Sequence, residues 1–69
     1  MEQGTIVRLI RDRGFGFVST QAGKEIFFHH STLPRGMFDS LREGQHLSFD
    51  IENDVQGRGE RAANVTVLD

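Results

Sequence analysis

Aromatic residues, glycine and arginine are concentrated in two short segments of this 69-residue chain. The first runs from Arg13 to Val18 (RGFGFV) and the second from Ile26 to His30 (IFFHH), and together they hold four of the six phenylalanines. Aromatic rings stack on the flat faces of unpaired bases, and arginine binds the phosphates that join them. This composition indicates a surface that contacts single-stranded nucleic acid.

Alternation within the first segment indicates which of its side chains face solvent. Successive side chains of a strand point to opposite faces, so Phe15 and Phe17 share one face while Gly16 and Val18 share the other. The glycine and the valine suit a tightly packed interior, in a chain with only 36% hydrophobic residues. We therefore expect the two phenylalanine rings to lie on the outside, where bases can reach them.

The net charge of −2 conceals an uneven distribution of charged residues. Residues 1–36 carry five basic and three acidic side chains, whereas residues 37–69 carry three basic and seven acidic ones. The positive charge therefore lies in the half of the chain that holds both aromatic segments. A locally cationic face can attract a polyanion even when the whole molecule is slightly acidic.

Length and composition restrict the classes of protein to be considered. The chain is long enough for one domain, expected to span residues 1–69, and it has no cysteine for disulfides or thiolate metal sites. No apolar stretch approaches the roughly 20 residues that cross a bilayer, and the N-terminus lacks the pattern of a signal peptide. We expect a cytoplasmic protein without a membrane partner.

Five short strands are predicted from runs of β-branched or alternating residues that are separated by turns. The fourth of them alternates clearly, with Leu47, Phe49 and Ile51 facing inward. A brief helical turn is expected at 31–33, with loops at 35–44 and 53–59. This pattern favours an all-β barrel or sandwich. The predicted strands are 5–11, 15–20, 25–30, 46–52 and 62–68.

The order and spacing of these segments resemble the cold-shock domain family from Gly4 to Val67. The resemblance rests on the strings DRGFGFV, IFFHHS, SLREGQ, SF and ANV, in that order. It implies a five-stranded antiparallel OB-like β-barrel that binds single-stranded DNA or RNA on strands two and three. It also implies a sequence-tolerant binder that acts as an RNA chaperone or a cold-shock-type regulator of gene expression.

The resemblance also implies individual roles for aromatic residues. Phe15, Phe17 and Phe27 match the family's stacking positions, and His29 matches a position beside them. Phe38 matches a further stacking position, although a lone loop phenylalanine is as often a lid over the core, so both interpretations stay open. By alternation, Phe28 faces inward with Ile26 and belongs to the core.

Basic residues near the two segments are the candidates for phosphate contacts. Arg13 flanks the stacking residues, as a basic residue does in the family, and Arg58 borders the last loop. Arg8 stands where the family typically has tryptophan; it can stack on a base or pair with phosphate, or it is a plain solvated side chain. Leu9 and His30 replace phenylalanines of the family, and the imidazole offers a smaller stacking area.

Other kinds of site have little support in the sequence. Adjacent His29 and His30 suggest a metal, but neighbouring strand residues normally point to opposite faces and only His46 could join them, so we expect no metal site. No carboxylate pair, activated nucleophile or cofactor motif can be assembled, so neither an enzyme nor a cofactor is expected. The lead hypothesis is a monomeric single-strand binder. The alternative is an OB-type protein-interaction module with a weakened nucleic-acid surface.

Overall fold

The computed structural model describes residues 1–53 and 59–68. All five predicted strands are present, and the second has the predicted bounds. Two short 3-10 turns join the third strand to the fourth, and no helix in the described part of the chain is long and apolar enough to cross a membrane. The strands are β1 (Glu2–Ile10), β2 (Phe15–Thr20), β3 (Glu25–His29), β4 (His46–Asn53) and β5 (Glu60–Val67), and the 3-10 turns span His30–Thr32 and Phe38–Ser40.

The five strands close into a barrel in the order β1-β2-β3-β5-β4. Four of the pairings are antiparallel, but β3 and β5 run parallel, with Phe27 opposite Arg61. The prediction of a five-stranded β-barrel is confirmed, whereas the prediction of a purely antiparallel one is wrong at this pairing. The reason is geometric, because an odd number of strands that alternate in direction cannot close without one parallel pair.

The barrel interior is filled by aliphatic side chains and phenylalanines from all five strands and from the 3-10 segments. Phe28, Leu47 and Phe49 are fully buried, as the alternation of β3 and β4 predicts, while Ile51 is only half-buried. In β2 the burial alternates along the strand, with Gly16, Val18 and Thr20 inside. The buried hydrophobic residues are Ile6, Val18, Ile26, Phe28, Leu33, Phe38, Leu41, Leu47, Phe49, Ala62 and Val65.

A bulge in β1 changes which of its side chains face the interior. Ile6 is opposite Val18, but the next residue in register with β2 is Arg8, opposite Phe17, so Val7 is an extra residue. Ile6 is buried before the bulge and Leu9 packs against the core after it. A regular strand with Ile6 inside would turn Arg8 inward, so the bulge is what places Arg8 on the outer face.

The segment between β3 and β4 is fixed to the barrel by Arg11. Its guanidinium donates hydrogen bonds to the carbonyl oxygens of Asp39, at 3.0 Å, and Leu41. Phe38 and Leu41 bury their side chains in the core beneath this contact. The β1–β2 turn and the 3-10 turn at Phe38–Ser40 are therefore held close together.

Candidate nucleic-acid interface

Four rings form a continuous outer surface on β2 and β3, which we call the aromatic platform: Phe15, Phe17, Phe27 and His29. Phe17 lies opposite Phe27 and Phe15 opposite His29 in the strand register. The ring centroids are 5.4 Å apart for Phe15 and Phe27 and 6.0 Å for Phe17 and Phe27. Each of the four residues is half-buried, so part of each is open to solvent. The outward orientation predicted for Phe15 and Phe17 is confirmed.

The interior beneath the platform explains why these rings lie outside. A Cβ atom on Gly16 would fall 2.6 Å from the Arg8 carbonyl oxygen and 2.9 Å from Cζ of Phe28. The Phe28 ring is completely buried and fills this space. The inner face of β2 therefore accepts only glycine here, and the neighbouring phenylalanines must project outward.

Residues of β1 and β5 extend the platform on both sides. In the strand register Arg8 lies opposite Phe17, Ile10 opposite Phe15 and Arg61 opposite Phe27. Ile10 is half-buried, whereas Arg8 is exposed. The sequence analysis assigned no role to Ile10 or Arg61. The position of Arg61 beside Phe27 has no local signal, because β3 and β5 pair only when the barrel closes.

The two adjacent histidines lie side by side. Their ring centroids are 4.3 Å apart, so the expectation that they point to opposite faces is wrong. The reason is that β3 ends at His29 and the chain turns at His30, whose amide donates to the Gly14 carbonyl oxygen at 2.9 Å. Among the described residues, no group of three histidine, aspartate or glutamate side chains comes together around a metal position.

His29 is held in place by the turn that follows it. Its Nδ1 lies 2.9 Å from the Ser31 hydroxyl and accepts a hydrogen bond from the Ser31 amide at 3.2 Å. Its ring centroid is 6.5 Å from that of Phe27. His29 therefore continues the row of rings in a fixed orientation, and His30 adds a further exposed ring beyond it.

Phe38 belongs to the core rather than to the open ring surface. It is only 7% exposed, and its ring centroid lies 6.3 Å from those of Phe28 and His30. This arrangement matches the lid over the core, and a stacking role for Phe38 stays a prediction. The 3-10 turn that carries Phe38 also accepts a hydrogen bond from Arg11 at the Asp39 carbonyl oxygen.

The basic residues differ in whether their side chains already pair with other residues of the protein. Lys24 forms an ion pair with Glu60, and Arg61 lies 3.7 Å from Glu52. Arg8 and Arg13 are exposed, and neither side chain has a hydrogen bond or ion pair with another described residue. Arg58, a further candidate from the sequence, lies outside the described residues. Arg8 and Arg13 therefore flank the platform with guanidinium groups available to a ligand.

Comparisons with known proteins agree with this geometry. A sequence model of the 'Cold-shock' DNA-binding domain matches residues 2–68. The major cold shock protein of Streptococcus pyogenes is 41% identical over 68 residues, which cover 99% of this chain and 98% of that protein. Cold shock protein CspC of Bacillus subtilis is 45% identical over 65 residues, covering 94% and 96% of the two chains. Cold shock protein CspB of Geobacillus stearothermophilus is 39% identical over 69 residues, covering 99% and 100%.

A small closed barrel with partly exposed rings and available guanidinium groups on one face defines a nucleic-acid-binding protein with an OB-like fold. The match over residues 2–68 goes further: the chain belongs to the cold-shock DNA-binding domain family. Nucleic-acid binding and a chaperone-type role in the cold-shock class follow from that membership.

Proposed function

We propose that this chain binds single-stranded RNA or DNA through base stacking on the aromatic platform. The observation that carries the proposal is the spacing of Phe15, Phe17 and Phe27, whose ring centroids all lie within 6.0 Å of one another on a half-exposed face. Stacking on an aromatic side chain contributes about 1–3 kcal/mol per base and tolerates any sequence, because every base has a π face. His29 and His30 add stacking surface beyond Phe27.

Phosphate contacts are the second part of the proposal. Arg8 lies on β1 opposite Phe17 and Arg13 lies in the turn before β2, with guanidinium groups that no described residue engages. A guanidinium binds phosphate oxygens as a planar fork and also stacks on a base. We assign the backbone contacts to these two residues, and we keep Arg58 as a further candidate.

The proposed mechanism is a shift in the folding equilibrium of RNA. A base stacks on the platform only when it is unpaired, so binding stabilises the open form of a weak hairpin by mass action and needs no ATP. The protein would act as a monomer with one domain, in the cytoplasm where its nucleic-acid partner is found. A chaperone of this kind keeps RNA single-stranded without selecting a particular sequence.

Fluorescence anisotropy with a labelled oligothymidine tests this function. We expect saturable binding at low salt and micromolar protein, and much weaker competition from a duplex than from an unlabelled single strand of equal length. An RNA hairpin carrying a fluorophore and a quencher should open on addition of the protein without ATP. No binding to the single strand under these conditions would contradict the proposal and favour a protein-interaction module.

A further inference from the structure

A cavity of about 400 Å³ lies beyond the His29 end of the platform, between the β1–β2 turn and the segment 34–39. We call it the arginine cavity. His30 and Phe38 contribute rings to its lining. Its charged lining residues are three arginines and two aspartates: Arg11, Asp12, Arg13, Arg35 and Asp39. The local balance is one positive charge, in contrast with the net charge of −2 for the whole chain.

The walls of the arginine cavity are held by contacts already present in the fold. Arg11 ties the β1–β2 turn to the carbonyl oxygen of Asp39, on the far wall, and to that of Leu41. His30 lies so close to Gly14 that a Cβ atom there would fall 2.5 Å from its Cδ2. The cavity is therefore already formed in the structure, which lowers the ordering cost of binding a ligand.

Two of the three arginines remain available to a ligand. Arg13 and Arg35 are exposed, and their side chains make no hydrogen bond or ion pair within the described residues. They come from opposite walls, Arg13 from the β1–β2 turn and Arg35 from the segment 34–39. A compact anion between them would be contacted from both sides.

The row of rings connects the platform to this cavity. The His29 centroid is 6.5 Å from that of Phe27, and the His30 centroid is 4.3 Å from that of His29. His30 lines the cavity. A strand stacked along these rings would therefore bring its end to the cavity, where the segment 34–39 forms the far wall.

We propose that the arginine cavity binds the terminal phosphate of the single strand that occupies the platform. A terminal phosphomonoester carries about −1.5 to −2 charge at pH 7 and three acceptor oxygens, whereas an internal phosphodiester carries one charge. The excess of arginine therefore favours the terminal group over an internal one. This inference rests on the proposed single-strand binding and adds a preference for one chemical form of the strand end.

The test compares oligothymidines that differ only in a terminal phosphate. One pair carries the label at the 3′ end and either a phosphate or a hydroxyl at the 5′ end, and a second pair has the opposite arrangement. We expect the phosphate to tighten binding about three- to tenfold at low salt at one of the two ends. Inorganic phosphate at millimolar concentration should compete with the phosphorylated form more than with the unphosphorylated one.

Matched arginine variants identify the cavity as the source of this gain. Arg35→Gln should remove most of the gain, measured as the affinity of the phosphorylated strand relative to the unphosphorylated one in the same variant. Arg42→Gln, at an exposed arginine that does not line the cavity, should keep the gain. The inference is overturned if phosphorylated and unphosphorylated strands bind equally at both ends, or if Arg35→Gln retains the full gain. Failure of the unphosphorylated strand to bind would instead contradict the proposed function.

Discussion

Arg8 lies directly opposite Phe17 across the β1–β2 ladder, one residue after the bulge at Val7. The resemblance of this chain to the cold-shock domain family implies tryptophan where Arg8 stands. The platform of this chain therefore has a charged group at a position where a large ring would otherwise extend the stacking surface. We expect a binder that depends more on salt and less on stacking than a relative with the full set of rings.

Replacing Arg8 should separate these two contributions. Arg8→Trp should tighten binding at moderate salt, by part or all of the about 1–3 kcal/mol that stacking on one ring contributes. It should also make the slope of log K against log salt shallower by about 0.7, the value for one phosphate contact on a single strand. Anisotropy titrations at several salt concentrations measure both effects. Arg8→Gln is the control, which should show the same reduction in slope without gaining affinity.

The space beneath the platform yields a prediction about stability. Gly16→Ala places a methyl group against the Phe28 ring and the Arg8 carbonyl oxygen, so we expect it to lower the free energy of unfolding by about 1–3 kcal/mol, as overpacking does. Urea unfolding followed by far-UV circular dichroism measures this, since the chain has no tryptophan or tyrosine. An unchanged unfolding midpoint would show that the interior can accept the added atom.

His30 tests whether ring area limits binding at the end of the platform. His30→Phe enlarges the ring beside His29, so we expect affinity for oligothymidine to rise by about 0.5–1 kcal/mol, a fraction of the value for a full stack. His46→Phe makes the same exchange at an exposed histidine on β4 and should leave affinity unchanged. Equal gains in both variants would indicate a general effect of hydrophobicity instead.

Arg11 has a structural role, so we expect its replacement to lower the free energy of unfolding. Arg11→Met removes the hydrogen bonds to the carbonyl oxygens of Asp39 and Leu41 and should lower the free energy of unfolding by about 1–2 kcal/mol. Arg13→Met, at a side chain without a partner in the described part of the chain, should change it by less than about 0.5 kcal/mol. Urea unfolding of both variants measures these free energies. Equal losses in the two variants would contradict the structural role assigned to Arg11.

Local alternation was sufficient to predict the strands and the outer face of β2. The pattern of Phe15 to Val18 depends only on the two-residue period of a strand and on the small volume of Gly16, and both are properties of the sequence. The bounds of β2 and the burial of Phe28 follow from the same period. Resemblance to the cold-shock family supplied the closed barrel and its ligand class.

Features that depend on closure of the barrel or on chain turns could not be predicted from local alternation. The parallel contact that brings Arg61 beside Phe27 exists only when β3 meets β5. The contact between the rings of His29 and His30 arises because β3 ends between them, and a prediction that extended the strand to His30 placed the rings on opposite faces. Phe38 is buried against Phe28, ten residues earlier in the chain, and its turn is bonded to the distant Arg11. Each of these is a tertiary effect without a local signal.

The central claim is that bases stack on the aromatic platform, and oligothymidine titrations of Phe27→Ala and Phe15→Ala test it most directly. We expect each variant to lose about 1–3 kcal/mol of binding free energy, while Val7→Ala, which shortens an exposed apolar residue outside the platform, keeps the affinity of the unaltered chain. Circular dichroism should confirm that all three remain folded. Unchanged affinity in both phenylalanine variants would contradict the account.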